Sequence, residues 1–284
     1  PFCNAWMNSA MQLGYDYNDD FNGETTLGIG KYDLNIGKRW RSSSSAAFLH
    51  PVKKRENLKI YTNTFVEKIT FENKKTTGII VFKNGKRSNI KCNKELILCA
   101  GAIQSPQILQ LSGIGPEKLL KKFNIPVIVN SKYVGKNLQD HFQSRLIVEM
   151  RDNISLNNDV RRPLKLISMG MNWLFRGKGD LTVGGIQIGG GVKSKYAVSN
   201  QPDIQLGAMP FSVDRPGVPL HKFSGFTTLF WQCHPLSRGT IEIKSVDPQE
   251  SPKIMPSYLS HELDRKTMIE GVKLIRKIHS NSPM

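Results

Sequence analysis

The sequence predicts a mixed α/β fold that contains two kinds of sheet. The apolar segment ELILCA, residues 95–100, runs directly into a Gly-Ala turn and a helical pattern, as a buried strand does in an α/β domain. Residues 57–92 hold short alternating segments and an Asn84-Gly85 turn, typical of an antiparallel meander. Beyond residue 142, strand-like segments occur with two helical patterns, which favours a mostly antiparallel sheet with helices on one side.

Each element follows from its local pattern. The first helix is predicted over residues 3–13, followed by Gly- and Ser-rich loop to about residue 50, and a further helix over residues 163–175. The glycines at 184, 185, 189, 190 and 191 indicate a flexible turn or bulge. The predicted strands are residues 57–62, 64–71, 76–83, 86–92, 95–100, 143–150, 203–209, 226–233 and 240–245.

The last helix is indicated by the order of its charges. Ser260 is suited to cap it, Glu262 and Asp264 lie in its first turn, and basic residues lie in its last turn. This order complements the helix dipole. Its predicted buried face consists of Ile269, Val272, Ile275 and Ile278.

The most informative segment is residues 101–115, GAIQSPQILQLSGIG. Ser105 is suited to cap a helix, Pro106 to occupy its first turn, and Gly113 to end it in the left-handed conformation. A strand, a turn and a helix N-terminus direct backbone N–H groups to one point, which suits a phosphate. On geometry alone, any strand-turn-helix corner of an α/β protein would look the same.

The residue types in this segment narrow the choice. It resembles the second signature of the glucose-methanol-choline (GMC) flavin oxidoreductases at every constrained position: Gly101, Ala102, Ser105, Pro106, Ile108, Leu109, Ser112, Gly113, Ile114 and Gly115. Residues 57–71, 134–141, 234–245 and 247–260 resemble other segments of that family, in the same order. Within the family, the likeness is nearest to the insect-type glucose dehydrogenases.

The resemblance implies a domain organisation. Residues 1–141 would form the C-terminal portion of a Rossmann-like FAD-binding domain with its antiparallel meander. Residues 142–233 would belong to the substrate domain, and residues 234–284 would begin the family's C-terminal region. No G-x-G-x-x-G pattern occurs in the sequence, and the family's catalytic His lies beyond the matched region. We therefore expect an internal fragment of a longer enzyme.

The resemblance also implies chemistry. A GMC enzyme binds FAD and removes a hydride from the CH–OH group of an alcohol, sugar or polyol, and a quinone or another acceptor reoxidises the flavin. It implies a small-molecule alcohol or sugar as substrate and a secreted, extracellular protein. The alternative is a family relative that keeps the fold but serves a binding or structural role.

Three residues are candidate cofactor contacts. Val66 occupies the position whose backbone contacts the flavin's adenine in the family, although it is equally suited to a plain strand core. Ala100 and Gly101 lie where a strand meets the turn, and small residues there let a cofactor approach closely. His141 follows Asp140, as a general base and its carboxylate would, but adjacent residues seldom face each other, so a structural role is favoured. We expect no catalytic residue within the chain.

Composition limits other functions. The formal net charge of +17 invites a nucleic-acid interpretation, but the basic clusters, such as Lys38/Arg39/Arg41 and Arg161/Arg162/Lys165, are scattered rather than gathered on one element. General surface charge is the favoured interpretation, with no nucleic-acid partner. The four widely spaced cysteines form no C-x-x-C pair, so no metal is predicted. No apolar stretch approaches the ~20 residues of a membrane span, so no membrane span is predicted.

Overall fold

The computed structural model describes residues 2–37, 39–182 and 184–284; Lys38, part of a basic cluster, lies outside them. The helices are α1 (Phe2–Gln12), α2 (His50–Val52), α3 (Gly101–Leu111), α4 (Glu117–Lys122), α5 (Leu156–Asp159), α6 (Pro163–Arg176) and α7 (Glu262–Ser280), with a π-helix at Ser45–Leu49 and a 3-10 helix at Asp180–Thr182. The strands are β1 (Gly28–Lys31), β2 (Ile36–Gly37), β3 (Trp40–Arg41), β4 (Phe65–Glu72), β5 (Lys75–Lys83), β6 (Lys86–Lys91), β7 (Ile114–Gly115), β8 (Val129–Asn130), β9 (Gln143–Glu149), β10 (Ile188–Val192), β11 (Ile204–Met209), β12 (Gly225–Gln232), β13 (Thr240–Glu242) and β14 (Lys253–Met255).

The chain divides into two compact units. Unit 1 comprises Pro1–Lys54, His141–His234 and Glu262–Met284, and unit 2 comprises Arg55–Asp140 and Pro235–His261. Each unit is therefore built from segments that are distant in the sequence. The domain assignments 1–141, 142–233 and 234–284 remain predictions.

Unit 1 is built on a five-stranded antiparallel sheet in the order β1-β10-β11-β12-β9. Helices α1 and α7 cover one face, where Trp6 donates a hydrogen bond to Thr228 and Gly271 lies against the ring of Phe230. Phe226, Thr228 and Phe230 share this face because alternate residues of a strand point the same way. The prediction of an antiparallel sheet with helices on one side is confirmed, and so is the helix near residues 163–175, which ends at Gly177 in the left-handed conformation.

Two glycine-rich strands of this sheet were not predicted. Gly189, Gly190 and Gly191 lie inside β10, which pairs with β1 on one side and β11 on the other, so their interpretation as a turn or bulge is wrong. A Cβ on Gly190 would lie 1.8 Å from the carbonyl oxygen of Gly28. The glycines therefore allow neighbouring strands to approach closely, and they do not form a turn.

The buried face of α7 also differs from the prediction. Ile275 and Ile278 are buried as expected, but Ile269 is 54% exposed. The face instead includes Asp264, Thr267, Met268 and Gly271. Because Gly271 must meet the Phe230 ring, the helix is rotated toward its small and polar residues.

Unit 2 contains the antiparallel meander β4-β5-β6, and Asn84 and Gly85 turn between β5 and β6 with positive φ values, as predicted. A second antiparallel pair, β13-β14, belongs to the same unit, and β14 was not predicted. A short parallel pair joins β7 to β8.

Two predicted strands of unit 2 are absent. Residues 57–62 and 95–100 lie within the described part of the chain, and neither segment forms a strand. Ile97, at the centre of the second segment, is 76% exposed, so the prediction of a buried strand is wrong. A strand requires a partner for its backbone N–H and C=O groups, and these segments pair with no part of the described chain.

Candidate functional site

The helix of the signature segment begins at Gly101, five residues earlier than predicted. Pro106 lies inside α3 rather than in its first turn, and Ser105 is not its cap. Ala100 is the N-cap residue, and no side chain caps the helix. Because Gly101 adopts φ +81°, the chain enters the helix through a conformation that favours glycine.

This helix N-terminus is open. Residues 101–104 are exposed, and a Cβ built on Gly101 would meet no atom within 4 Å. The first N–H groups of a helix have no acceptor within it and carry a partial positive charge. The geometry suits an anionic group such as a phosphate, which Ala100 and Gly101 would allow to approach closely.

The other end of α3 is fixed to β4. The hydroxyl of Ser112 accepts a hydrogen bond from the Ile69 N–H at 2.8 Å and donates to the Ile108 carbonyl at 2.6 Å. Gly113 follows with φ +83°, which confirms that it ends the helix in the left-handed conformation. A Cβ there would lie 2.4 Å from the Pro126 carbonyl oxygen, so the position is closed to other residues.

Val66 lies near the start of β4 and is half-buried. The pairing of β4 with β5 slips between Val66 and Lys68, a β-bulge that turns Glu67 into the protein. The Glu67 carboxylate is 8% exposed and forms an ion pair with Arg87 at 2.8 Å. The bonds that join α3 to β4 run through Ser112 and Ile69, at the opposite end of the helix from Gly101. Val66, Ala100 and Gly101 remain predicted cofactor contacts.

Sequence reasoning missed Gln110, the residue that organises unit 2. Its side chain is fully buried in α3, and its Nε2 donates to the Ile241 carbonyl at 3.0 Å and to the Val134 carbonyl at 3.4 Å. Its Oε1 accepts from the Ile243 N–H at 2.9 Å. One amide thus joins the signature helix, the start of the 134–141 segment and β13. A glutamine amid the apolar residues of QILQLSG was the available signal.

The bonds of Gln110 hold the 134–141 segment beside the first turns of α3. A cavity of about 380 Å³ is lined there by Ala102, Pro106 and residues 135–139. Because proline has no N–H, the carbonyl of Ala102 lacks its helical donor at this cavity. The corner therefore offers N–H groups without a side-chain cap at the start of α3 and, at Ala102, a carbonyl without its usual helical donor.

Unit 1 contains a separate cavity of about 410 Å³. It lies over strands β10 and β11, and the residues that line it include Phe21, Tyr32, His141, Gln205, Cys233 and His234. We call it the Tyr32 cavity. Its size is in the range of small-molecule sites.

Tyr32 forms the floor of this cavity. Its hydroxyl donates to the Leu206 carbonyl at 2.6 Å and accepts from Gln205 Nε2 at 3.3 Å. The ring lies against Gly189, where a Cβ would come within 2.8 Å of it. Burial raises the pKa of Tyr32, so the phenol is protonated and neutral near pH 7.

His141 is held by the backbone. Its Nε2 lies 2.9 Å from the Cys233 carbonyl oxygen, and its ring stacks on Trp231 with a centroid distance of 6.5 Å. A carbonyl only accepts hydrogen bonds, so Nε2 carries the proton. Asp140 accepts a hydrogen bond from the Tyr258 hydroxyl. A ring held by a backbone carbonyl and a tryptophan is consistent with the structural role expected for His141.

The described residues also bear on metal binding and on membrane insertion. No group of three or more His, Cys, Asp or Glu side chains among them could hold a metal ion. Among the same residues, no helix has both the length and the apolar character needed to cross a membrane.

The comparisons with known proteins agree with the signature and the fold. The two family models of the GMC oxidoreductases match residues 1–143 (the N-terminal model) and 235–283 (the C-terminal model). The chain belongs to the GMC oxidoreductase family, whose cofactor is FAD.

Two relatives and one solved structure show how far the likeness extends. The mitochondrial choline dehydrogenase of Homo sapiens is 35% identical over 100% of this chain and 48% of its own length. The oxygen-dependent choline dehydrogenase of Staphylococcus saprophyticus is 34% identical over 98% of this chain and 49% of its own length. A solved FAD-dependent oxidoreductase from Chaetomium thermophilum superposes with a TM-score of 0.86, at 22% identity, over 99% of this chain and 55% of that one. The chain spans about half the length of the curated relatives it matches.

Proposed function

We propose that this chain is part of a FAD-dependent oxidoreductase that acts on the CH–OH group of a small alcohol. The observation that carries the proposal is the corner at Gly101, where the family signature forms an open, uncapped helix N-terminus. Family membership supports the same cofactor. When bound, FAD supplies the two-electron acceptor for oxidation of the alcohol to a carbonyl compound.

The described residues at the start of α3 leave room for this cofactor. The N–H groups at the start of α3 have no side-chain cap, and Ala100 and Gly101 present no bulk that would keep a phosphate away. We assign these residues to the approach of the cofactor's phosphate-bearing part. Val66 is assigned to its adenine through the backbone of β4.

Two kinds of alcohol are candidates for the substrate. The two relatives described above are named choline dehydrogenases. The segment-by-segment resemblance to the insect-type glucose dehydrogenases favours a sugar or polyol instead. A quinone as electron acceptor and a secreted location belong to that same resemblance, and detection of the full-length protein in the culture medium would test the location.

The test compares two glycines in the full-length protein. Gly101 and Gly85 both have positive φ, +81° and +78°, and a Cβ on either meets no atom within 4 Å. A β-branched residue is strained equally at both, at a cost of about 1–2 kcal/mol. We expect Gly101→Val to lose most of its bound FAD, measured as flavin absorbance per polypeptide. Gly85→Val, in the outer hairpin, should keep it.

Two outcomes would contradict the proposal in different ways. Equal FAD content in the two variants would remove Gly101 from the cofactor site. A wild-type full-length protein that binds FAD but oxidises neither choline, glucose nor simple alcohols would favour the alternative, a relative that keeps the fold in a binding or structural role.

A further inference from the structure

We propose that the Tyr32 cavity is the site where the alcohol binds, and that it selects an uncharged, hydroxyl-bearing molecule over a quaternary ammonium alcohol. The inference rests on the proposed function, since it names the substrate class of that reaction. It comes from the polar groups and the charges around this cavity.

The polar groups are placed for hydroxyl recognition. Gln205 gives one amide hydrogen to the Tyr32 oxygen. Its second amide hydrogen and its carbonyl oxygen make no hydrogen bond within the described residues, and the side chain lines the cavity. A primary amide that retains a donor and an acceptor can pair with a hydroxyl in either direction. The Tyr32 hydroxyl is already fixed by Leu206, so the pair is pre-organised.

The described lining of the cavity offers a cation no carboxylate, and the nearby Asp203 carboxylate already accepts two hydrogen bonds from Ser194. Among the described residues that line the cavity there is no Asp or Glu. Burial, followed by the nearby Asp203, raises the pKa of Cys233 to about 11, so its thiol is neutral. The chain as a whole carries a formal net charge of +17. A trimethylammonium group entering this cavity would lose its hydration without gaining a carboxylate partner.

The aromatic rings replace that carboxylate only in part. Cation binding by aromatic side chains requires an open ring face. Tyr32 already packs on Phe21, with a centroid distance of 5.2 Å, and against the backbone at Gly189. Part of its π surface is therefore used within the protein.

The experiment uses the full-length protein with FAD bound. Its two probes are choline and the uncharged isostere of choline in which a tert-butyl group replaces the trimethylammonium. We expect the wild type to show a kcat/KM for the isostere about tenfold or more above that for choline. Gln205→Glu places one carboxylate in the cavity at nearly constant volume, and it should shift this ratio toward choline by about tenfold or more.

Two further variants complete the test. Gln12→Glu makes the same chemical change at the end of α1, where Gln12 contacts Asn281, and it should leave the ratio unchanged. Gln205→Leu removes the amide, so it should raise KM for the isostere while bound FAD stays constant. A ratio that responds equally to Gln205→Glu and Gln12→Glu, or a wild type that prefers choline, would overturn the proposal.

Failure of the proposed function is distinguishable. If the full-length protein oxidises neither probe, the thermal shift caused by each probe decides the matter. Stabilisation by the isostere, lost in Gln205→Leu, supports the cavity as an alcohol site even then. The absence of any shift, or a larger shift with choline, overturns it.

Discussion

The sheet of unit 1 and helix α3 of unit 2 are held in place by different means. In unit 1, β12 is buried along nearly its whole length, and large apolar side chains such as Trp6 and Phe230 fill the space between sheet and helices. In unit 2, the buried residues of α3 include Gln107 and Gln110, whose amides bond to backbone groups of other segments.

The difference shows which kind of change each unit tolerates. A core held by apolar packing responds to volume, because each displaced methyl group loses contacts or creates overlap. A core held by amide-to-backbone bonds responds to the loss of a partner, because each orphaned buried group costs about 1–3 kcal/mol. Three predictions follow this division, from the largest effect to the smallest.

The largest effect is expected in unit 2 for Gln110→Leu. The volume is nearly kept, but the Ile241 carbonyl and the Ile243 N–H lose their partner together. We expect the free energy of unfolding to fall by about 3 kcal/mol or more, measured by urea denaturation. Gln104→Leu, on the exposed first turn of the same helix, is the control and should change it little. A loss below about 1 kcal/mol for Gln110→Leu would mean that these bonds are not what holds the unit.

In unit 1, two helical glycines should respond with opposite signs. Gly271→Ala puts a methyl group 2.3 Å from a carbon of the buried Phe230 ring. We expect a loss of about 1–3 kcal/mol from overpacking. Gly170→Ala, in α6, meets nothing within 4 Å, so it should gain about 0.5–1 kcal/mol from helix propensity. Thermal melts would show the contrast, and stabilisation by both changes would mean that α7 does not lie so close to β12.

The effect that is smallest near pH 7, and that grows only on acidification, is a pH dependence from His279 in unit 1. Burial lowers the pKa of His279 from 6.5 to about 4, and its Nε2 lies 2.8 Å from the Thr228 hydroxyl. Since the unfolded chain binds this proton more readily, the stability is complete above about pH 6.5 and is lost as the pH falls toward 4. The expected loss is up to about 1.4 kcal/mol per pH unit in that window.

Denaturation of His279→Gln across the same pH range checks this assignment. The variant keeps a side chain that can bond Thr228 but does not titrate, so its stability should be flatter between pH 6.5 and 4 than that of the wild type. Parallel profiles would assign the acid sensitivity to other groups.

Part of the fold could be read from local pattern. The meander with its Asn84-Gly85 turn, helix α6 and the charge order of α7 all follow from residue types within a few positions of one another. Local pattern predicted the wrong secondary structure where a segment becomes a strand only by pairing with a distant part of the chain. The apolar run at 95–100 has the composition of a buried strand, yet Ile97 is exposed because no described segment pairs with it.

The candidate sites show the same limit. The corner at Gly101 was located from the sequence because the turn and the closing glycine at 113 are local requirements of the backbone. The Tyr32 cavity was not found, since Tyr32, Gln205 and Cys233 come together only when β1, β10, β11 and β12 pair.

By itself, the sequence determined the family, the signature corner and the mixed α/β class, because each depends on residue types at short, fixed spacing. Only the tertiary structure decided that the glycines of β10 are strand residues and that Gln110 ties three segments together. It also decided that α7 turns its small residues to the sheet. The physical reason is common to all three. Close backbone approach and buried hydrogen bonds are set by partners far away in the chain, which no local pattern specifies.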